Sequence, residues 1–463
     1  MRTCLQLALG LALFACAAPR PTIATPVVAA RPASASPSAS TDDARRDFDS
    51  AIQAFLVHDH LQDWSESSCR EMASRFDAIR WSGRAVPEAT FNAGLALQRC
   101  GKEGEGAKRF EAALAQNARF HPARAELALY FYKAHGDLDA AIGALATAVR
   151  DAGFRNVAAL VNLAALQMRR SRPNGSDGCA DDLECAKQNL QRALAIDDAF
   201  MPAYNRLALL YLAQATRREG ATDVQRLELA ALVCSQAIRK NASYAPIHNT
   251  AGLVQHELGH VNGAVASFRV ATALDPRLFE AQMNYAAANL SFRGFEEAQK
   301  AYQKALAIRP SDYDAHLGLA LALRGRIDDT NHDKQVAAVR AELEAAKRMD
   351  AERPDAFYNE AILVEEYESK GGSRAQTIAG LSRAQALLAS FIKKATGKPA
   401  YDVAVQRAKE RIEDMEAMKA FIQGAGTSSA APPPPRALPS PYGPAPSPQP
   451  TTPPTTPLPL PPP

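Results

Sequence analysis

Neither sign of charge is in excess: 53 Lys and Arg stand against 50 Asp and Glu, a formal net charge of +3 over 463 residues. Binding a phosphate backbone draws on a clustered basic surface, so this balance excludes nucleic acid as an expected partner. The hydrophobic run near the N-terminus, Leu5 to Phe14, is too short to cross a bilayer. The chain also lacks a glycine-rich phosphate loop, a nucleotide motif and a Ser-His-Asp arrangement. Without them no cofactor and no small-molecule substrate are expected. What is present is apolar residues at 47%, with Ala dominant, and 22% charged residues, a composition that suits packed helices with an ordinary polar surface.

Small residues recur at Gly94, Ala128, Ala164, Ala208, Gly252, Ala286 and Ala320, at intervals of 34, 36, 44, 44, 34 and 34 residues. A period near 34 is the length of one helix-turn-helix unit, which cannot bury its apolar side alone and stacks on copies of itself. The clearest unit, Ala245 to Pro276, carries Gly252, Gly259, Ala264, Phe268, Ala271 and Pro276. The next repeats it at +34 with Ala286, Ala298, Tyr302, Ala305 and Pro310, its turn glycine displaced by one place to Gly294. Small residues at the crossing let two backbones approach, Phe268 and Tyr302 fill the gap to the next helix, and the prolines stop helix B. These residues resemble the tetratricopeptide repeat. The resemblance implies an all-α superhelical solenoid of about eight repeats that binds other proteins and is not an enzyme. Looser units read as Gly94 with Phe110 and Ala113, Ala128 with Ala140 and Thr147, Ala164 with Ala186, Leu190 and Ala193, Ala208 with Ala230, Cys234 and Ala237, Ala320 with Leu343 and Ala346, and a last one around Ile362. Three units are stretched between helix A and helix B, near Ser171–Cys185, Thr216–Arg226 and Gly325–Asp333. Equivalent turns share one edge of a solenoid, so these insertions are candidates for a second partner surface.

The ends differ in kind. Arg2, the apolar run and the sequence Leu13-Phe14-Ala15-Cys16 resemble a bacterial lipoprotein signal, which implies cleavage before Cys16 and lipidation of that residue. Ala17, and not Asp, follows, and in the resembling lipoproteins this favours the outer membrane with the body in the periplasm. The expected organisation is a signal peptide at 1–15, a flexible tether at 16–41, an N-terminal helix pair at 42–86, the repeat array at 87–398, a capping helix at 399–424 and a Pro-rich disordered tail at 425–463.

Three constellations are candidates for chemistry. His256-Glu257-Leu258-Gly259-His260 spells the zinc-protease signature, which needs both His on one helical face. Counting from Gly252, however, Gly259 is the turn glycine, which puts His260 past the end of helix A. No metal site is therefore expected, and a zinc-dependent peptidase is the disfavoured alternative. Cys179 and Cys185 bracket an acidic segment in the first insertion, where a disulfide in an oxidising compartment is the leading expectation and calcium on Asp177, Asp181, Asp182 and Glu184 lacks the EF-hand spacing. Cys69 and Cys100 could pair if their helices adjoin, and Cys234 reads as a buried apolar thiol. Finally, Asn92, Asn162, Asn205, Asn249, Asn284 and Asn359 recur two or three places before the small helix A residue or its weakest equivalent. Helix A residues line the groove of this repeat family, so a ladder of amides there could hydrogen-bond the backbone of an extended peptide. The plainer alternative is local bonding and packing.

Together these features predict a lipid-anchored scaffold in the cell envelope that holds other envelope proteins. The long array and proline tail resemble the repeat lipoproteins of the myxobacterial gliding-motility envelope machine, and related lipoproteins serve secretion and assembly machines. A peptidoglycan-associated structural lipoprotein is a further alternative.

Overall fold

The computed structural model describes residues 26–27, 39–61, 63–81, 83–173, 178–216 and 222–424. Cys16 and the residues of the Pro-rich tail lie outside them, as do most residues of the expected tether. Among the described residues are nineteen α-helices. The first two, α1 (Ala39–Leu61) and α2 (Glu66–Asp77), precede a short antiparallel pair, β1 (Arg80–Trp81) and β2 (Arg84–Ala85). Sixteen helices then follow as A/B pairs: α3 (Pro87–Arg99) and α4 (Glu103–Gln116), α5 (His121–His135) and α6 (Leu138–Asp151), α7 (Val157–Arg170) and α8 (Asp182–Ile196), α9 (Met201–Thr216) and α10 (Val224–Lys240), α11 (Ala245–Glu257) and α12 (Val261–Leu274), α13 (Phe279–Ser291) and α14 (Phe295–Ile308), α15 (Tyr313–Arg324) and α16 (His332–Met349), and α17 (Asp355–Leu363) and α18 (Arg374–Ala395). The last helix is α19 (Asp402–Gly424). The array is a tetratricopeptide-type all-α repeat fold of eight helix pairs among the described residues.

Local sequence sets the helix ends. Pro87, Pro122 and Pro246 stand in the first turn of α3, α5 and α11, where the missing N–H costs no helical bond. Asp137, Asp181, Asp223 and Asp312 accept from backbone N–H groups at the starts of α6, α8, α10 and α15. The sharp A-to-B turn requires a left-handed residue, supplied by Gly259 with φ +79° after α11. One repeat later Gly294 has moved one place along, and Arg293 takes the left-handed position at φ +62°.

The chain divides into two compact units, Ala17–Ala281 and the part from Gln282 onward. In the first, Phe48, Phe55, Phe76, Phe91 and Phe110 build one core over α1 to α5, and Leu145, Leu160, Leu190, Leu210 and Ile247 carry a second along α6 to α11. Small residues set the packing distance. A Cβ built on Gly252 would come within 2.5 Å of the Phe268 ring, and one on Gly94 within 2.5 Å of the Phe110 ring. In the second unit, Leu381, Leu388, Phe391, Tyr401 and Met415 join α18 and α19 in a common core.

The second pair corrects the expected register. Ala140 is exposed and Thr147 only half-buried, while Ala141, Leu145 and Ala148 are buried. The cause is the helix start: Asp137 caps α6, and the buried residues fall four, eight and eleven places after the cap. Ala264, Phe268 and Ala271 stand at the same offsets from His260, the cap position of α12.

Candidate peptide-binding face

Asn92 is in α3, two residues before the Gly94 crossing, and its side chain is 0% exposed. The amide is spent on a residue 65 places away. The Val27 N–H donates to Asn92 Oδ1 at 2.9 Å, and Asn92 Nδ2 donates to the Val27 carbonyl at 3.0 Å. One side-chain amide thus satisfies both backbone groups of one residue, with the donor and acceptor it presents side by side. The Val27 side chain is half-buried against the aromatic core of α1 to α5. Arg99, also on α3, fixes α1 beside this place through a two-pronged pair with Asp59 at 2.7 and 2.9 Å, its guanidinium lying over the Phe55 ring.

The other amides behave differently. Asn162 and Asn284 are buried, and Asn249 is half-buried. Asn205 accepts from the Thr250 hydroxyl at 2.6 Å. Asn359 donates to the Asp355 carbonyl at 2.9 Å and accepts from Arg324. Bonding within the array therefore occupies part of the amide capacity of Asn205 and Asn359, whereas Asn92 holds both backbone polar groups of a residue that lies outside the helices.

One member of the row is not an asparagine. Glu126 stands two residues before Ala128, the place Asn92 holds before Gly94, and is buried on α5 with the Gln98 amide donating to it at 3.4 Å. Burial pushes its carboxyl up to about 7, outweighing the Gln98 bond and the Arg99 charge. The folded chain therefore holds this proton more tightly than the unfolded chain, so the stabilisation is complete below about 4.5 and is lost as the pH rises through about 7. Glu126→Gln keeps the neutral shape at every pH. Its gain over the natural chain in urea unfolding should grow from near zero around pH 4 to about 3 kcal/mol around pH 9. A gain that does not change with pH would refute a neutral, buried Glu126.

Helix geometry takes apart the apparent zinc motif. His256 and Glu257 end α11, Gly259 makes the left-handed turn, and His260 stands at the start of α12 with its ring nitrogen 3.0 Å from the Gln255 side chain. The two imidazoles do not share one helix. Among the described residues no group of three or more His, Cys, Asp and Glu is placed to hold a metal ion.

The first insertion is braced. Cys179 and Cys185 are disulfide-bonded, as are Cys69 and Cys100, and Cys234 is a free buried thiol that burial pushes up to about 12. Of the proposed calcium residues, Asp177 lies outside the described residues. Asp181 caps α8, and Asp182, 0% exposed, takes two bonds from Arg170 at 2.7 and 2.8 Å and a third from the Arg172 N–H at 2.8 Å. Arg170 and Arg172 also both reach Asp139 on α6. Burial raises the Asp182 carboxyl, but the arginines outweigh it and hold it below the usual carboxylate range.

No family model matches the chain, and no curated protein matches it. Solved structures do. A thermophilic TPR protein of Thermus thermophilus is 30% identical over 44% of this chain and 99% of its own, with a TM-score of 0.37. PilF of Pseudomonas aeruginosa is 16% identical over 55% and 96%, with a TM-score of 0.40. YrrB, described as a TPR protein with an unusual peptide-binding site, is 17% identical over 48% and 97%, with a TM-score of 0.35.

Proposed function

The chain belongs to the tetratricopeptide-repeat family, and from that premise we propose that it is a lipid-anchored scaffold of the bacterial envelope, holding extended segments of other envelope proteins along its helix A residues. The bond pattern at Asn92 carries this reading: a buried amide receives both backbone polar groups of a residue outside the helices, whose side chain meets an apolar core, and this supports recognition of peptide backbone. Recognition of that kind selects conformation more than sequence. The role has no catalytic step. The lipobox-like Leu13-Phe14-Ala15-Cys16 supports attachment at Cys16, outer-membrane sorting and a periplasmic body. The stretched A-to-B turns support a second partner surface, and the long array with its Pro-rich tail supports a place in a motility or a secretion and assembly machine.

Crosslinking in intact cells, with and without residues 432–463, followed by identification of the captured proteins, tests the scaffold role. Envelope proteins should be caught through helix A positions, and cytosolic proteins alone would end the proposal. Fractionation of a Cys16→Ser variant tests the anchor, because unchanged membrane association would rule out lipidation at that residue.

A further inference from the structure

The residue seated on Asn92 is not from a partner but from the chain itself. Eleven residues separate Val27 from the start of α1, and it belongs to no helix or strand. Its bonds to Asn92 are not a by-product of helix packing, since they join residues 65 places apart. Pro26 before it has a fixed φ and no N–H, which favours an extended entry with little ordering entropy left to lose. Polar and apolar parts of the seat agree: the amide fixes the backbone while the β-branched side chain meets the core of α1 to α5.

We propose that the segment at Pro26-Val27 is a ligand in cis, occupying the first place of the peptide-binding face, and that the seat accepts in trans an extended strand with a small β-branched residue in the Val27 place. The inference rests on the reading that helix A amides receive extended backbone and adds the identity of the resident occupant. A short connection of this kind gives an effective local concentration on the order of millimolar. If the resident segment has an intrinsic dissociation constant near 100 µM, a strand competing for the seat should therefore bind the occupied chain about tenfold more weakly than the empty one.

Hydrogen exchange on the full chain tests the cis contact. The Val27 amide should exchange at least about tenfold more slowly than an unprotected amide, and Asn92→Ala should abolish the slowing. Exchange at the unprotected rate, or protection unaltered by Asn92→Ala, overturns the proposal. The trans claim uses a labelled synthetic peptide of residues 22–31 and a Val27→Pro chain, which loses the donating N–H at a position outside every helix and so leaves the helical bonding of the array in place, a point checked by an unchanged helical circular-dichroism signal. By fluorescence anisotropy the peptide should bind Val27→Pro about tenfold more tightly than the natural chain, and adding Asn92→Ala should remove that binding. Equal affinity for the two chains, or no binding to either, overturns the trans claim. Protection at Val27 is read without any partner present, so this inference and the scaffold role fail separately.

Discussion

Asp182→Ala is expected to cost about 3–5 kcal/mol of stability, far more than an ordinary surface ion pair, because it strands Arg170 as a nearly buried cation. Arg170 is 11% exposed, and two of its three bonds to carboxylates end on Asp182. The same change removes the acceptor for the Arg172 N–H and so loosens the start of the first inserted loop. Asp139 compensates little, since it is half-exposed and shared with Arg172. The sign with pH follows from the lowered carboxyl. Its contribution is fully present above the ordinary carboxylate range and is lost as the pH falls through the lower folded value, so the mutant and the natural chain should converge in strong acid. Urea unfolding at neutral and acid pH reads both effects. A cost below about 1 kcal/mol at pH 7 would mean that the pair behaves as a solvated one.

If the loop is a partner surface, this bracing has a functional consequence. The Arg170–Asp182 pair and the Cys179–Cys185 disulfide hold both sides of the insertion independently of the apolar core. A loop held at its base can present its tip with less ordering cost on binding than a free one.

The sequence made some of this legible and hid the rest for physical reasons. Phe268, Tyr302 and their small neighbours could be read because close helix crossings demand those sizes at a fixed offset. The second pair slipped by one residue because Leu145 and Ala148 are ordinary helix residues; the informative signal was Asp137, a cap that sets where the count begins. Glu126 carries no residue-type signal in a row of asparagines, and only its place two residues before Ala128 marks it as a member. The strands Arg80–Trp81 and Arg84–Ala85 are too short to show alternation. Most instructive is Val27. Its pairing with Asn92 spans 65 residues, and long-range contact between a helix and an extended segment leaves no periodic trace in either.

The same packing logic predicts a loss of about 3–5 kcal/mol for Phe268→Ala. The side chain is 2% exposed and its ring lies against Gly252, so truncation leaves a void at the crossing of α11 and α12. Collapse into the void is limited, because Ala264 and Ala271 beside it on α12 are already small. The crossing is also sensitive in the opposite direction. Ala has a better helix propensity than Gly by up to about 1 kcal/mol, but a Cβ at Gly252 would stand 2.5 Å from the ring, and overpacking of that kind costs about 1–3 kcal/mol. Gly252→Ala should therefore destabilise on balance, and less so in a Phe268→Leu background, where the ring is gone. Because each repeat touches chiefly its neighbours, the damage of Phe268→Ala should be local. Hydrogen exchange should show faster opening in α11 and α12 and the helices next to them, with protection around Phe48 and Phe76 retained. Uniform loss of protection from α1 through α12 would show instead that Ala17–Ala281 unfolds as one cooperative body, and the account of the chain as an array of nearest-neighbour units would have to be given up for that half.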